Sequence, residues 1–502
     1  MKHHHTARTL LCTLPLPPHR AYGTGEADTL PLSSLCCDSR RAVEGALFVC
    51  IRGAAVDGHR YMRAAYEAGC RCFLAESLPD TPLPSDAIIY LSCDTHRDLA
   101  FLAAEYVGHP AREMSVVGIT GTKGKTSVAM MCHHIATKAG IASGYIGTCG
   151  ARYGNVVRQT GNTTPGPLEL QQALLEMKAA GVTTVFLEVS SQALWQKRVE
   201  GIPFTAVAMT NLSPDHIGAA EHPDFDHYVA TKKRLLTDFS APVALLNADD
   251  RLVSAMKNDV PATTLLCGLE APADVRATDI RQSSWDGKLG VRFTYQGRTG
   301  SYPVFLPLPG EYNVSNALFA MTLTGLLGIP TDKAAWALSD VTIPGRFEVL
   351  TVKGATVVID YAHNGASLRA ILSTLRAYGP GRLLCLVGSV GERTQCRRAE
   401  LGAAAAVLAD YTYLTADDPG LESVIDICRE MAAAFPQGSD RYRIIPDRAA
   451  AIRDALADLR SGDILLLAGK GDEQFQRIGG RLLPHNDRAV VEAWRDEFAV
   501  LT

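Results

Sequence analysis

Residues 116–127 read Val-Val-Gly-Ile-Thr-Gly-Thr-Lys-Gly-Lys-Thr-Ser and carry the plainest chemistry in the chain. The apolar run 115–119 reads as a buried strand and residues 126–139 as a helix. The turn between them aims backbone N–H groups at one point, and the helix N-terminus adds partial positive charge. That point suits a phosphate. Lys125 would lie against the β- and γ-phosphates of a nucleotide, and the Thr126 hydroxyl against Mg²⁺. The pattern G-x-x-x-x-G-K-[ST] is not met in full, because its first position, residue 119, is Ile; the glycines stand at 118, 121 and 124. The alternative is an ordinary glycine-rich turn, which leaves the Gly-Lys-Thr at the helix start unexplained.

Other reactive residues fall where strands are expected to end. The apolar stretch 185–189 carries Glu188 and runs into Ser190 and Ser191, and residues 206–212 lead to Ser213-Pro214-Asp215-His216. In an open parallel sheet, ligand groups collect at the carboxyl ends of strands. Glu188, His216 and the Thr126 hydroxyl could therefore meet around a metal ion on nucleotide phosphates. A histidine is unusual for Mg²⁺, so it would act through water or favour Mn²⁺. Asn162-Thr163-Thr164-Pro165 is a polar turn before a helix at 168–179, and Lys232-Lys233-Arg234 alone reads as a solvated helical face. Asn247-Ala248-Asp249-Asp250 could reach a nucleotide or close a turn, and Asn313 and Asn316 stand one turn apart at the start of an apolar helix. Near the N-terminus, Ser39 and Arg40 could hold an anionic or sugar-bearing ligand, or lie in a solvated turn. Further strands at 357–363, 383–387, 411–414 and 464–468 end in Asp360 and His363, Gly391-Glu392-Arg393, Asp417-Asp418-Pro419-Gly420 and Gly469-Lys470-Gly471-Asp472-Glu473. No His or Cys/His arrangement for a covalent nucleophile is apparent.

At 502 residues the chain is too long for one core. Gly108-His109-Pro110 and Pro344-Gly345-Arg346 divide it into units at 1–112, 113–345 and 346–502, each expected to be α/β, with a small β subdomain at 260–305. A net charge of −4 gives no footprint for nucleic acid. No apolar run is long enough to span a membrane, and the start has no signal-peptide character. The 13 cysteines follow no metal spacing and suit a reducing cytoplasm; His3-His4-His5 could be a tag remnant.

Taken in order, Asp38-Ser39-Arg40, the 121–126 loop, Asn162-Thr163-Thr164, Glu188-Val189-Ser190-Ser191, Asn211-Leu212-Ser213-Pro214-Asp215-His216, Tyr312-Asn313-Val314-Ser315-Asn316, Pro344-Gly345-Arg346-Phe347-Glu348, Asp360-Tyr361-Ala362-His363 and Gly469-Lys470-Gly471-Asp472-Glu473 resemble the Mur ligases over nearly the whole chain. Within that family the resemblance is to the ligases that add the third residue of the peptidoglycan stem peptide to UDP-N-acetylmuramoyl-L-Ala-D-Glu. It implies an N-terminal UDP-binding α/β domain, a central P-loop ATPase domain and a C-terminal Rossmann-like domain that binds the amino acid. ATP and Mg²⁺ are implied, with Gly121, Thr122, Lys123, Gly124, Lys125, Thr126, Ser127, Asn313, Arg346, Asp360 and His363 toward the nucleotide. Lys125, Glu188, His216 and Lys232 would carry catalysis, and Thr126, Glu188, His216 and Lys232 the metal. Lys232 would bear a carbamate, which reverses its reading as a solvated residue. Ser39 would touch the uridine side; Asn162, Thr163, Thr164, Ser190, Gln196 and Arg198 the sugar-peptide; and Arg393, Asp417, Asp418, Gly469 and Glu473 the incoming amino acid.

The implied reaction passes the γ-phosphoryl group of ATP to the D-Glu carboxylate, and the amine of a free diamino acid then displaces phosphate from the acyl phosphate. The enzyme would work in the cytoplasm as a monomer. Three departures stand out: Gln192 where the family often has His, Lys123 where Asn is common, and Asp417-Asp418-Pro419-Gly420 where diaminopimelate-adding ligases carry Asp-Asn-Pro-Arg. Lacking that Arg, and with Asp418 and Glu473 facing the side-chain end, the site is expected to favour L-lysine over meso-diaminopimelate; Arg397 and Arg398 are the arginines that could replace it. The alternatives are the same reaction with meso-diaminopimelate or another diamino acid, another ligase of the superfamily such as folylpolyglutamate synthase, which lacks the Asp-Ser-Arg domain, or a non-catalytic nucleotide-binding partner.

Overall fold

The structure is a computed structural model that describes residues 5–53, 56–215, 217–218, 221–286, 288–392 and 396–501, without the side chains of 396 and 498–501. His3, His4, His216 and Arg393 therefore lie outside the described residues. The fold divides into two compact units: residues 1–276 with 296–300 and 316–334, and residues 277–295 and 301–315 with 335–502.

The first unit holds two sheets. The N-terminal one contains β1 (His19–Tyr22), β2 (Ser34–Cys36), β3 (Ala46–Val49), β4 (Cys72–Ala75) and β5 (Ile88–Leu91), in the order β1-β5-β4-β3-β2, with only β1 antiparallel. Strand alternation puts Leu47, Val49 and Leu74 into a core on one face and Phe48 and Phe73 into a core on the other. The helix Thr95–Tyr106 follows, capped by the Asp94 carboxylate. It ends where Gly108 and His109 take positive φ and Pro110 opens a short 3₁₀ turn, as the breaker residues predict.

The second sheet is built on β6 (Ser115–Thr120), β7 (Ser143–Gly147), β8 (Gly150–Tyr153), β9 (Val156–Arg158), β10 (Thr184–Glu188), β11 (Phe204–Met209), β12 (Val243–Asn247) and β13 (Thr263–Gly268), in the order β13-β12-β11-β6-β10-β7-β8-β9. The strands from β13 through β7 are parallel, and β8 and β9 fold back antiparallel. β6, β7 and β10 are apolar almost throughout because helices cover both faces. Central β6 pairs with β10 so that Glu188 lies opposite Ile119, and with β11 so that Met209 lies opposite Thr120. The carboxyl ends of three strands are thereby brought level. β13 departs from expectation: it is a parallel member of this sheet and not part of a separate β subdomain.

β14 (Val275–Trp285) starts parallel to β13, with Val275 opposite Cys267; in the second unit its remainder runs beside β15 (Lys288–Gly297), and β15 beside β16 (Gly300–Leu306). A six-stranded sheet follows, comprising β17 (Glu348–Val352), β18 (Ala355–Asp360), β19 (Leu383–Val387), β20 (Tyr411–Leu414), β21 (Tyr442–Ile444) and β22 (Ile464–Ala468), in the order β17-β18-β22-β19-β20-β21. Only β17 is antiparallel. Asp360 pairs with Ala468, so the loops after β18 and β22 leave from one edge, together with those after β19 and β20. A hairpin of β23 (Phe475–Ile478) and β24 (Arg481–Pro484) closes the chain before its last helix.

Candidate active site

The loop between β6 and the helix Lys125–Lys138 has the geometry of an anion cradle; the helix starts at Lys125. Gly121 (φ +141°) and Gly124 (φ +86°) hold left-handed backbone. A side chain at Gly121 would overlap Thr210 Oγ1, and one at Gly124 would come within 2.5 Å of Asn316 Oδ1. Both positions therefore require glycine. Gly118 serves a different purpose: it lies within β6 and makes room for the Phe204 ring. The loop is pinned from β11, as Thr122 N donates to Asn211 O (2.9 Å), Lys123 N to Asn211 Oδ1 (2.9 Å) and Thr210 Oγ1 to Lys123 O (2.6 Å). Lys125 Nζ donates to the carbonyls of Gly121 (2.9 Å) and Thr122 (3.1 Å), which keeps the ammonium on the loop. Lys123, an unexpected residue here, pairs with Asp215 at 3.1 Å.

Glu188 is fully buried, unlike an ordinary strand-end carboxylate. It accepts from Thr126 Oγ1 (2.9 Å), Thr148 N (3.0 Å), Thr148 Oγ1 (3.3 Å) and the Tyr145 hydroxyl. Burial, then the Glu188 charge, push the Tyr145 phenol well above its usual range, so it stays a donor. Lys232 sits on the helix Phe225–Thr237 and is 1% exposed. Its Nζ donates to Gly121 O at 2.9 Å and lies 4.9 Å from the centre of the Tyr228 ring. Burial, and then the charge of Lys125, hold its pKa well below the ordinary lysine value.

The residues expected at the sugar-peptide connect to Glu188 through its main-chain carbonyl and, by way of Thr148, to its carboxylate. Thr164 Oγ1 donates to the Glu188 carbonyl (2.8 Å) and accepts from Ser190 N (3.0 Å), while Thr163 and Thr148 hydroxyls lie 3.2 Å apart. Arg198 donates to Thr164 O (2.7 Å) and twice to Gln196 Oε1 (3.0 and 2.7 Å). Asn162 is exposed and uses its carbonyl to accept from Thr160. Ser39 opens a 3₁₀ turn after β2, beside an Asp38 whose hydrogen bonds from Arg40 lower its pKa to about 2. That ion pair occupies Arg40. Asp249 closes a turn by accepting from the backbone N–H groups of residues 269–271.

In the second unit, Asp360 accepts from Phe347 N and Ala362 N, each at 2.9 Å, and so fixes the loop carrying Arg346, whose guanidinium lies over the Tyr361 ring at 4.3 Å. His363 Nδ1 is 2.9 Å from Tyr361 O. Asn313 is buried, with Nδ2 donating to Pro309 O at 2.9 Å. Asp417, Asp418 and Glu473 converge as expected, with a correction: the cation they surround is Lys470. Its fully buried ammonium lies 2.8 Å from Asp418, 3.9 Å from Asp417 and against Glu473. Burial raises the Asp417 pKa to about 6, against the opposing pull of Lys470 and Arg448. Gly469 (φ +107°) lies against the Asp417 carboxylate. Gly420 (φ +62°) is covered by the Glu392 carboxylate, which fills the space a side chain would take. Arg398 is buried and committed to Glu422 (2.6 Å) and Glu430 (3.0 Å).

Sequence reasoning missed Lys470, Tyr145, Thr148, Thr210 and Asn211 as structural partners of the site. Asn316 carried a signal in its pairing with Asn313. Tyr145 and Thr148 carried none, since they reach Glu188 only through the neighbouring strand β7.

Comparison with known proteins matches residues 31–98 to the Mur ligase family catalytic domain, 119–324 to the Mur ligase middle domain and 345–471 to the Mur ligase glutamate ligase domain. A Listeria monocytogenes protein named UDP-N-acetylmuramoyl-L-alanyl-D-glutamate–2,6-diaminopimelate ligase is 34% identical over 93% of this chain and 94% of its own. One of the same name from Geobacillus thermodenitrificans is 34% identical over 97% and 98%. The fold is that of a solved ligase of this name (TM-score 0.69, 24% identity, 98% and 99% of the two chains) and of the Thermotoga maritima MurF ligase solved with ADP (TM-score 0.62, 20% identity, 93% and 98%). With 34% identity to named ligases over nearly the whole chain, and matches to all three Mur ligase domains, the chain belongs to the Mur ligase family of ATP-dependent ligases.

Proposed function

We propose that this enzyme joins a diamino acid to the D-Glu carboxylate of UDP-N-acetylmuramoyl-L-Ala-D-Glu, with ATP cleaved to ADP and phosphate. The observation that carries this reading is the joining of two residue sets through Glu188: the phosphate-loop residue Thr126 on its carboxylate, and Thr164, Ser190 and Arg198 on the chain behind it. Such a link would bring a phosphate held on the loop near an acceptor carboxylate held by the second set. Phosphoryl transfer then needs positioning and charge neutralisation rather than a covalent nucleophile.

The D-Glu carboxylate oxygen attacks the γ-phosphorus of ATP, the P–O bond to ADP breaks, and an acyl phosphate forms. Lys125, released from the Gly121 and Thr122 carbonyls, neutralises charge on the transferred group. The amine attacks the acyl carbon, gives up a proton, and phosphate leaves with the C–O electron pair. The buried oxygens of Glu188 and Thr126 fit Mg²⁺, which prefers oxygen donors; when bound, Mg²⁺ would offset phosphate charge. Lys232 supports a further part of the proposal. A buried lysine with a lowered pKa gives up its proton more readily, the free amine is a nucleophile toward CO₂, and the N–C bond forms with loss of one proton to give a carbamate anion in place of a cation. His216 would join this group, and Asn313, Arg346, Asp360 and His363 the nucleotide; Arg393 would take the α-carboxylate of the amino acid. We place the domain boundaries near residues 112 and 345, the reaction in the cytoplasm, and the working form as a monomer. No helix among the described residues is long and apolar enough to cross a membrane.

For the amino acid we propose L-lysine, a reading supported by the surroundings of Gly420. Gly420 offers no guanidinium, Glu392 covers it with a carboxylate, and Arg398 is spent on Glu422 and Glu430. Asp418 and Glu473 add less to this argument than their sequence suggests, because Lys470 already neutralises them. The second reading is 2,6-diaminopimelate, favoured by the names of the relatives, which lend the lysine preference no support. The test is ADP release with the UDP-muramyl dipeptide and each amino acid in turn. Release that needs both substrates is expected; release with neither, or only with a folate acceptor, would reject the assignment.

A further inference from the structure

In the second unit a buried ion pair lies directly behind the loops assigned to the amino acid. Arg448 opens the helix Arg448–Asp458, and Asp487 opens the helix Asp487–Leu501. Both side chains are fully buried. Arg448 Nε donates to Asp487 Oδ1 at 2.8 Å and one terminal nitrogen to Oδ2 at 2.6 Å, a bidentate pair. The remaining donors reach forward. One goes to Ala468 O at 2.9 Å and one to Ala416 O at 3.3 Å. These carbonyls immediately precede Gly469 and Asp417, where the chain leaves β22 and turns beyond β20. The segment before Asp487 grips the same region: His485 N donates to Gln474 O (3.0 Å), Asn486 Nδ2 to Glu473 O (3.2 Å), and His485 Nε2 lies 2.7 Å from Asp487 Oδ1.

We propose that Arg448, locked by Asp487, is a positioning residue that sets the spacing between the 417–420 and 469–473 loops and thereby the affinity for the incoming amino acid. The inference rests on the assignment of those loops to the amino acid. Two points carry it. A buried ion pair is replaceable by apolar side chains of like shape at little cost in stability, so its value here lies in what the guanidinium fork holds. What it holds is a pair of carbonyls, one at the end of β22 and one just past the end of β20, each one residue from a proposed substrate contact. Asp487 remains an anion in this setting: burial pushes its pKa up, but Arg448 and then His485 hold it well below the usual carboxylate range.

The test uses the full-length enzyme carrying Arg448→Met with Asp487→Leu, which removes both charges together, and separately Arg448→Lys, which keeps a charge and loses the fork. KM is measured for the amino acid, ATP and the UDP-muramyl dipeptide, with thermal unfolding alongside. The expected result is a folded double variant whose KM for the amino acid rises roughly tenfold to a hundredfold, the scale set by a misplacement of about 1 Å, with the other two KM values within about twofold. Arg448→Lys is expected to show the same selective rise. A folded variant with unchanged amino-acid KM, or with all three KM values raised alike, would overturn the inference. If the double variant does not fold, Arg448→Lys decides by the same criteria; failure of both to fold would mark the pair as a core element and overturn it as well. A wild-type enzyme with no amino-acid-dependent turnover would instead reject the function on which the inference rests.

Discussion

Replacing Gly420 with arginine is the perturbation that bears most on substrate choice. A guanidinium gripping a distal carboxylate is a charge-assisted pair worth about 1.5–3 kcal/mol, or roughly tenfold to a hundredfold in discrimination. Two features work against the single substitution. The position has φ +62°, which costs a non-glycine residue about 1 kcal/mol of stability. The Glu392 carboxylate also already sits where the new Cβ would go. That carboxylate is the end of a flexible side chain, so it will move aside and then capture the new guanidinium. Gly420→Arg alone is therefore expected to shift the preference toward meso-diaminopimelate by no more than about a few-fold, on the scale of an exposed ion pair. Gly420→Arg with Glu392→Gln frees the guanidinium and should give the larger shift. The assay is a competition between equal L-lysine and meso-diaminopimelate, scored as a ratio of kcat/KM. Arg477→Ala is the control. Arg477 is bonded through its backbone to both Asp418 and Gly420, and strand alternation sends its side chain to the face of β23 opposite the buried Gln476. Equal or better use of meso-diaminopimelate by the wild type would refute the reasoning, and its loss in Arg477→Ala would name the replacement arginine; a full switch from Gly420→Arg alone would refute it as well.

Lys125→Ala should lower kcat by at least about a hundredfold with little change in unfolding temperature, because the ammonium acts on charge that develops in the transition state; near-normal turnover at saturating ATP would speak against the loop. Lys232→Ala should lose activity and regain part of it with added short carboxylates. In the wild type, activity should depend on bicarbonate and fall as pH drops through the lowered lysine pKa, since protonation below that point removes the nucleophilic amine; the carbamate is read by NMR with labelled bicarbonate. Gly121→Ala must displace the buried Thr210 hydroxyl and should cost about 1–3 kcal/mol, measured by chemical denaturation together with ATP binding.

The parts of the fold and site written into local sequence were readable, and the parts made by strand neighbours were not. The phosphate loop was legible because Gly-Lys-Thr after an apolar strand has few other uses, and Gly108-His109-Pro110 marked a chain break by its own backbone restrictions. β13 misled because a short run such as residues 263–268 does not show in sequence whether it pairs in parallel with β12 and β14 or folds into a hairpin. Glu188 was readable as a site residue from its place at a strand end in the phosphate-loop sheet, but its Tyr145 and Thr148 partners were not, because they come from β7 and the turn after it. Lys232 read as surface because its neighbours in sequence are cations, while its burial comes from packing beneath the loop. Lys470 sits in a motif whose resemblance pointed to Gly469 and Glu473; only the fold shows its ammonium among three carboxylates.

The central claim is an acyl phosphate formed at the D-Glu carboxylate, and the direct test is to supply UDP-N-acetylmuramoyl-L-Ala-D-Glu with heavy oxygen in that carboxylate and follow the label through one turnover. One labelled oxygen should appear in the released phosphate for each amide bond formed, dependent on both ATP and the amino acid. Amide formation with unlabelled phosphate would show that ATP is cleaved without phosphorylating the carboxylate, and would contradict the account.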